Sequence, residues 1–403
     1  MAVRRLRKYW TASLVLFVVA VCTGVLYRAG QAYGFTGGLD MVNIRHAHSH
    51  TMYFGWVTPV LFLFIGLRVG IQGLGRLLAW VIGASALAYV LFLFFGYRPV
   101  AIGPVTMPVS VVAATLNTII WYVFAAAYFR TRDAADRSPP HQLWDASLAF
   151  LLLATIGALG LAFLKPLGLD DPVWSMALTH LFLDLFSEGW FVLGVLGIAF
   201  GRFGFHNASR LFQAGLLLVV VGLPFTFAMG MPQGLVAEPL QWLARAGSLF
   251  VGCGLLLLAA LLWLRIPWRS AWFIPLTFLT LKALGQATAA LGIGFWPADH
   301  HGFRILYLHV MLLGFVSCVL VAEARAALGV VSDRGLKLFL AAVTAVILSL
   351  MPLAGIVPAE QWMYTTATWV AILPAVAGAY LVVAGARGGE WTYHGVNSGS
   401  DEG

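Results

Sequence analysis

The sequence predicts an all-α fold, a polytopic membrane protein of about twelve transmembrane helices, and three observations carry that prediction. Of 403 residues, 61% are hydrophobic and 10% charged, against roughly 25% charged in an ordinary soluble domain. The apolar residues come in blocks of the ~20 residues needed to cross a hydrocarbon core about 30 Å thick. The blocks are continuous rather than alternating, which selects helices over barrel strands, because backbone groups in lipid must be paired internally.

In chain order the predicted spans run from Trp10 to Gly30, Ser49 to Gly70, Leu78 to Gly96, Pro104 to Phe129, Leu143 to Leu164 and Trp174 to Phe200. The second half follows with Leu211 to Gly230, Leu240 to Leu264, Ala271 to Ile293, Phe303 to Leu328, Leu336 to Ile356 and Trp362 to Ala384. No linker is long enough to separate domains, so residues 1–403 form one transmembrane domain, with a short N-terminal segment (1–9) and a mobile Gly- and Ser-rich tail (385–403).

Charge placement orients the spans. Arg4, Arg5, Arg7 and Lys8 precede the first, and basic residues recur in every second connection: Arg68 and Arg76, then Arg130, Arg132 and Arg137, then Arg202 and Arg210. Arg265 and Arg269, then Arg325, Arg334 and Lys337, and finally Arg387 continue the alternation. The opposite connections hold only Arg28, Arg45, Arg98, Lys165 and Arg304. By the positive-inside rule both termini are cytoplasmic, in the inner (plasma) membrane, and the helix count is even. The same bias accounts for the net charge of +8, so membrane lipid rather than nucleic acid is the partner it implies. The first span lacks a small-residue cleavage site and reads as retained. Cys22, Cys253 and Cys318 lie inside spans without CxxC spacing and read as small apolar packing residues.

An ionisable side chain at the centre of a membrane helix costs about 2.5–3.5 kcal/mol on insertion scales, so each asks for a partner or a purpose. His50 opens the second span, His180, Asp184 and Glu188 lie in the sixth, Lys282 in the ninth and His309 in the tenth. The second, sixth and tenth spans run in one direction, which brings His50, His180 and His309 to one depth near the outer surface. Two share a pattern: His50-Thr-Met-Tyr-Phe-Gly-Trp-Val-Thr and His309-Val-Met-Leu-Leu-Gly-Phe-Val-Ser both read His-x-Met-x-x-Gly-aromatic-Val-hydroxyl. Paired imidazoles from two helices suit a low-spin haem iron. Arg45 and Arg304, each five residues before its histidine, suit haem propionates. The alternative is a chance match between two Gly-rich helices with interfacial histidines.

His180, Asp184 and Glu188 recur every four residues and form one stripe on the sixth helix. Such a set suits a non-haem metal or a proton relay; the alternative is a hydrogen-bonded cluster supporting the haem pocket without binding metal. His46 shares a helical face with His50, whereas His48 points elsewhere; His300 and His301 lie in the loop before the tenth span. His141, His206 and His394 fall on the opposite side. Lys282 with Gln286 one turn on is a further buried polar face.

These features resemble the catalytic subunit of the haem-copper oxidase superfamily. His180-Leu-Phe-Leu-Asp184-Leu-Phe-Ser-Glu188 is most similar to the nitric oxide reductase large-subunit branch. The resemblance implies haem b on His50 and His309, and non-haem iron or copper at His180 with Asp184 or Glu188. It further implies carboxylates Asp184 and Glu188 in catalysis, a cytochrome c or quinol as electron donor, and electron transfer with reduction of nitric oxide or oxygen. Tyr307 stands where that family places a second haem ligand, and the seventh span has no histidine. Arg45-His46-Ala47-His48 before a Gly-Trp span is also similar to NnrS-type membrane haem proteins. The competing expectations are a cofactor-free transporter or channel using the buried His, Asp and Glu, and a non-catalytic haem sensor or assembly protein.

Overall fold

The computed structural model describes residues 2–164, 167–292, 296–356, 358 and 360–387. Lys165, the last residue of the ninth predicted span, His394 and most of the predicted tail lie outside the described residues. The chain forms α1 (Ala2–Tyr33), α2 (Met41–Val69), α3 (Leu74–Phe95), α4 (Val109–Thr131), α5 (Pro139–Leu164) and α6 (Pro172–Arg202). It continues through α7 (Arg210–Gly230), α8 (Glu238–Trp263), α9 (Phe273–Ala290), α10 (His301–Leu328), α11 (Asp333–Leu350) and α12 (Trp362–Ala386). A two-stranded hairpin, β1 (Val100–Ile102) and β2 (Val105–Met107), joins α3 to α4 with Ala101 opposite Thr106.

Among the described residues, ten helices are long and apolar enough to cross a membrane. The chain is a multi-pass membrane protein. The two helices outside that set, α9 and α11, are 18 residues each. Lys282 and Gln286 interrupt the apolar length of α9, and α11 opens on Asp333, Arg334 and Lys337.

Local chemistry sets the helix ends. Asp40 accepts from the Val42 and Asn43 amides to start α2, and Asp171 accepts from Val173 ahead of Pro172 to start α6, each satisfying donors that the first turn leaves unpaired. Left-handed glycines stop the other ends: Gly70 (φ 81°) after α2 and Gly329 (φ 62°) after α10.

The core is organised around α2, α6 and α10. Each is interrupted by a π-helical stretch, Thr51–Val57, Leu185–Val192 and His309–Ser317 respectively. Wide turns of this kind are rare and cluster at functional sites. Each stretch contains a glycine followed by an aromatic residue: Gly55-Trp56, Gly189-Trp190 and Gly314-Phe315. Each glycine also meets a side chain of the preceding helix. A Cβ would stand 3.0 Å from Leu16 of α1, 2.4 Å from Phe150 of α5 or 2.7 Å from Phe278 of α9. Of the pattern shared by the second and tenth spans, only the glycine and the aromatic residue after it recur on α6, where Asp184 stands five residues before the glycine.

The three stretches lock onto one another. Trp56 Nε1 donates to Ser317 Oγ (3.0 Å) and Trp190 Nε1 donates to Thr58 Oγ1 (3.5 Å), in both cases from the residue after one glycine to the third residue after another. At the remaining pair of offsets stand Phe315 and Val192, which have no side-chain donor or acceptor. Farther along, at the end where Arg68 and Arg202 lie, the Glu323 carboxylate accepts from Arg68 Nη2, Arg202 Nε and Arg202 Nη2, each at 2.9 Å. Glu323 is fully buried on α10, so one carboxylate ties α2, α6 and α10 together at this basic end.

Candidate functional site

The end of the bundle opposite the Glu323 clasp is built differently. From Leu185 to Phe200 every residue of α6 is buried, whereas from Pro172 to Asp184 none is. On α10, Leu306 is the one buried residue between His301 and Leu308. The polar side chains picked out in the sequence gather in this looser half.

Glu188 sits at its floor. Its Oε2 accepts from Lys282 Nζ (2.8 Å) and Gln286 Nε2 (3.1 Å), and its Oε1 accepts from Tyr307 Oη (2.6 Å). Lys282 also donates to Gln286 Oε1. Lys282 is 1% exposed and Glu188 6%, so a fully desolvated ion pair joins α6 to α9 with α10 as third support. Removing either charge alone strands the other, which makes the pair a structural commitment of this half. Asp184, one turn above, accepts from Thr226 Oγ1 of α7 at 2.9 Å. His180, a further turn up, packs on Gly230, where a Cβ would stand 2.3 Å from its Nδ1; Arg304 Nη1 donates to the Gly230 carbonyl at 3.4 Å.

The His180, Asp184 and Glu188 stripe is therefore contiguous on α6, but its three side chains go to separate partners on α7, α9 and α10. Among the described residues no group of three or more His, Cys, Asp or Glu side chains converges on a metal-sized site. The arrangement does not fit a non-haem iron or copper ion, since the Glu188 oxygens are committed to Lys282, Gln286 and Tyr307. Tyr307 itself has its hydroxyl on Glu188.

The histidines of α2 divide between two environments. His50 stacks on Phe92 of α3 (4.0 Å between centroids, 7° between planes), and its Nε2 lies 2.9 Å from Tyr97 Oη. Burial pushes the Tyr97 hydroxyl up to about 12 against the opposing effect of nearby Arg45, and the tautomer of His50 sets which of the two groups donates. His46 stands edge-on to the same phenol ring (4.7 Å) and 6.4 Å from the His50 ring. His48 faces the other way, into α1, where Gly24 clears its ring: a Cβ there would lie 2.8 Å from His48 Cε1. Its Nδ1 donates to the Ala20 carbonyl at 2.7 Å.

His309 of α10 has the same bonding as His48, with Nδ1 donating to the Ile305 carbonyl at 2.8 Å. A carbonyl oxygen can only accept, which fixes both rings as the Nδ1–H tautomer and leaves both Nε2 lone pairs bare. His48 and His309 interact electrostatically with each other and with Arg28 of α1. Among the histidines of α2, His48 is the one that bears electrostatically on His309, whereas His50 belongs to the Tyr97 cluster.

Sequence reasoning missed Glu323 and Thr226. A signal for Glu323 was available: it is an acid inside an apolar run, and Arg68 and Arg202 both stand thirteen residues after their helix's glycine. Arg45 and Arg304 lie close enough to affect one another at the mouth of the open half. No protein-family model matches this chain, and no curated protein matches it either.

Proposed function

We propose that this chain is a membrane haem protein of the electron-transfer kind, with a b-type haem held by His48 and His309. The observation that supports this reading is the matched pair of imidazoles on two core helices, each anchored through Nδ1 and each with a free Nε2. That is the donor set of a six-coordinate, low-spin iron, and backbone anchoring of the second nitrogen is how such ligands are oriented. When bound, the haem supplies one-electron chemistry. The chain's own residues do the rest: the Ala20 and Ile305 carbonyls hold the imidazole planes, and Arg28 supplies positive charge beside them. Arg45 and Arg304 offer guanidiniums to carboxylates at the mouth.

If His48 and His309 both held the iron, reduction of nitric oxide or oxygen would need another open metal. Tyr307 is committed to Glu188, and the α6 stripe does not converge, so simple electron transfer is the better-supported activity. The likeness to haem-copper oxidases then lies in the three core helices and the paired histidines. In this reading all twelve helices cross the inner membrane, both termini are cytoplasmic, the open half faces outward, and the electron donor is a cytochrome c or a quinol.

The test is an optical spectrum of detergent-purified protein, oxidised and dithionite-reduced, for wild type and for His48→Ala, His50→Ala and His309→Ala. A sharp reduced α-band lost in His48→Ala and His309→Ala but kept in His50→Ala is the expected result. Loss in His50→Ala with retention in His48→Ala would return the second ligand to His50.

A second reading, a cofactor-free transporter or channel, is favoured by one observation: a polar, loosely packed half closed at one end by the Glu323 clasp is the shape of a carrier in one of two access states. It predicts colourless protein after expression with haem supplied, and transport abolished by Asp184→Asn.

A further inference from the structure

Away from the three core helices, the start of α8 and the end of α9 enclose a cleft of about 840 Å³. Arg245 is its centre. The guanidinium lies 5.5 Å from the Trp296 ring centroid and 5.9 Å from that of Trp242. It also occupies the space over Gly292, where a Cβ would collide with Nη1 at 1.6 Å. Two indoles and a glycine slot hold this cation in place, a placement that positions it for a ligand. Trp296 is itself fixed by its Nε1 donating to the Met231 carbonyl at 2.6 Å. Among the described residues no carboxylate pairs with Arg245.

The rest of the cleft is amphipathic in a definite order. Glu238, two turns before Arg245 on α8, is exposed at the helix start and lines the same cleft. Gln241 is locked by its Nε2 donating to the Val236 carbonyl at 2.8 Å. One turn farther into α8 the wall is Leu249, and Ala290 and Leu291 at the end of α9 face the same cleft. Trp242 and Leu291 are 66% and 59% exposed, as befits side chains facing lipid. The cleft therefore lies at the end of two helices, at the level where indoles collect in a bilayer, with a cation, an anion and an apolar floor.

We propose that this cleft binds an aminophospholipid, phosphatidylethanolamine, with its phosphate on Arg245, its primary ammonium on Glu238 and its acyl chains along Leu249 and Leu291. Charge complementarity selects this headgroup. An anionic glycerol headgroup would satisfy Arg245 but set no cation against Glu238. A choline headgroup carries the cation without an N–H to donate. Indole rings and apolar side chains alone would not discriminate among the three. The inference is independent of whether the chain binds haem.

Native mass spectrometry on the full-length protein in detergent, titrated separately with phosphatidylethanolamine, phosphatidylcholine and phosphatidylglycerol, tests it. Wild type should retain phosphatidylethanolamine about tenfold more tightly than either competitor, the ratio that about one charge-assisted hydrogen bond supplies. Arg245→Gln should weaken all three lipids. Glu238→Gln, an exposed substitution that leaves the fold intact, should keep lipid binding and erase the preference for ethanolamine over choline. Equal retention of the three lipids by wild type, an unchanged preference in Glu238→Gln, or an isoprenoid quinone co-purifying in the cleft at the expense of phospholipid would each overturn the proposal.

Discussion

The two halves of α2, α6 and α10 are made from the same three helices and differ in what holds them together. Toward the basic end they interlock through aromatic packing, two indole-to-hydroxyl bonds and a single buried carboxylate shared by two arginines. Toward the opposite end the same helices are spaced by histidines, a buried Glu188–Lys282 pair and side chains left partly accessible. The π-helical stretches lie at the junction. Apolar interdigitation gives rigidity without chemistry, and polar groups give chemistry at the expense of packing. The dense half thus serves as the frame that fixes the helices on which the open half hangs its imidazoles.

Substitutions can break this contrast, and the largest effect is expected at Lys282. Lys282→Met leaves Glu188 buried with only neutral partners and should cost about 3–5 kcal/mol, while the double variant Lys282→Met/Glu188→Gln should recover most of that loss. Denaturant unfolding in detergent decides the matter, and a double variant no better than the single would mean that the pair is not coupled.

Glu323→Gln should cost somewhat less, about 2–3 kcal/mol, because the Arg68 and Arg202 side chains are 30% and 25% exposed and can regain water once released. If the clasp is a frame and the chain binds the proposed haem, the haem spectra of this variant remain those of wild type up to its lowered melting temperature. A spectrum that changes at low temperature would show instead that the two halves communicate.

Trp56→Phe mimics what Phe315 already does on α10. Ser317 Oγ keeps its own bond to the Leu312 carbonyl (2.8 Å), so the loss should be about 1 kcal/mol. A much larger loss in thermal unfolding would mean that the indole bonds, and not the glycine contacts, set the spacing of the helices.

The smallest effect is expected outside both halves, in the loop between α4 and α5. Burial nudges the Asp136 carboxyl upward, but hydrogen bonds from Ser138 and the neighbouring His141 outweigh it and hold the group below the ordinary carboxylate range. A depressed carboxyl contributes stability above its unfolded pKa of about 3.9, and that contribution disappears as pH falls through the folded value. Asp136→Asn should therefore lower the melting temperature slightly at neutral pH and not at all in strong acid. A loss that persists in acid would assign the effect to geometry rather than charge.

Much of this was written in the linear sequence. Composition and block length determined a multi-pass helical membrane protein, because lipid admits few other backbones. The repeated glycine and aromatic pair marked where core helices approach, and Glu188 and Lys282 declared themselves by being costly where they stood. Which way each histidine of α2 faces was a different kind of question. His48 and His50 lie about 200° apart on an ideal helix, so one at most can face a given neighbour. The sequence pattern chose His50 by counting back from Gly55. Gly24 of α1, Phe92 of α3 and Tyr97 then fix the rotation, and all three belong to segments distant in the chain. The convergence of Arg68 and Arg202 on Glu323 was hidden for the same reason: residues more than a hundred positions apart share a carboxylate because three helices meet at that end. Side-chain chemistry is local and legible in sequence, whereas the rotation of one helix against the next is set by contacts among all of them.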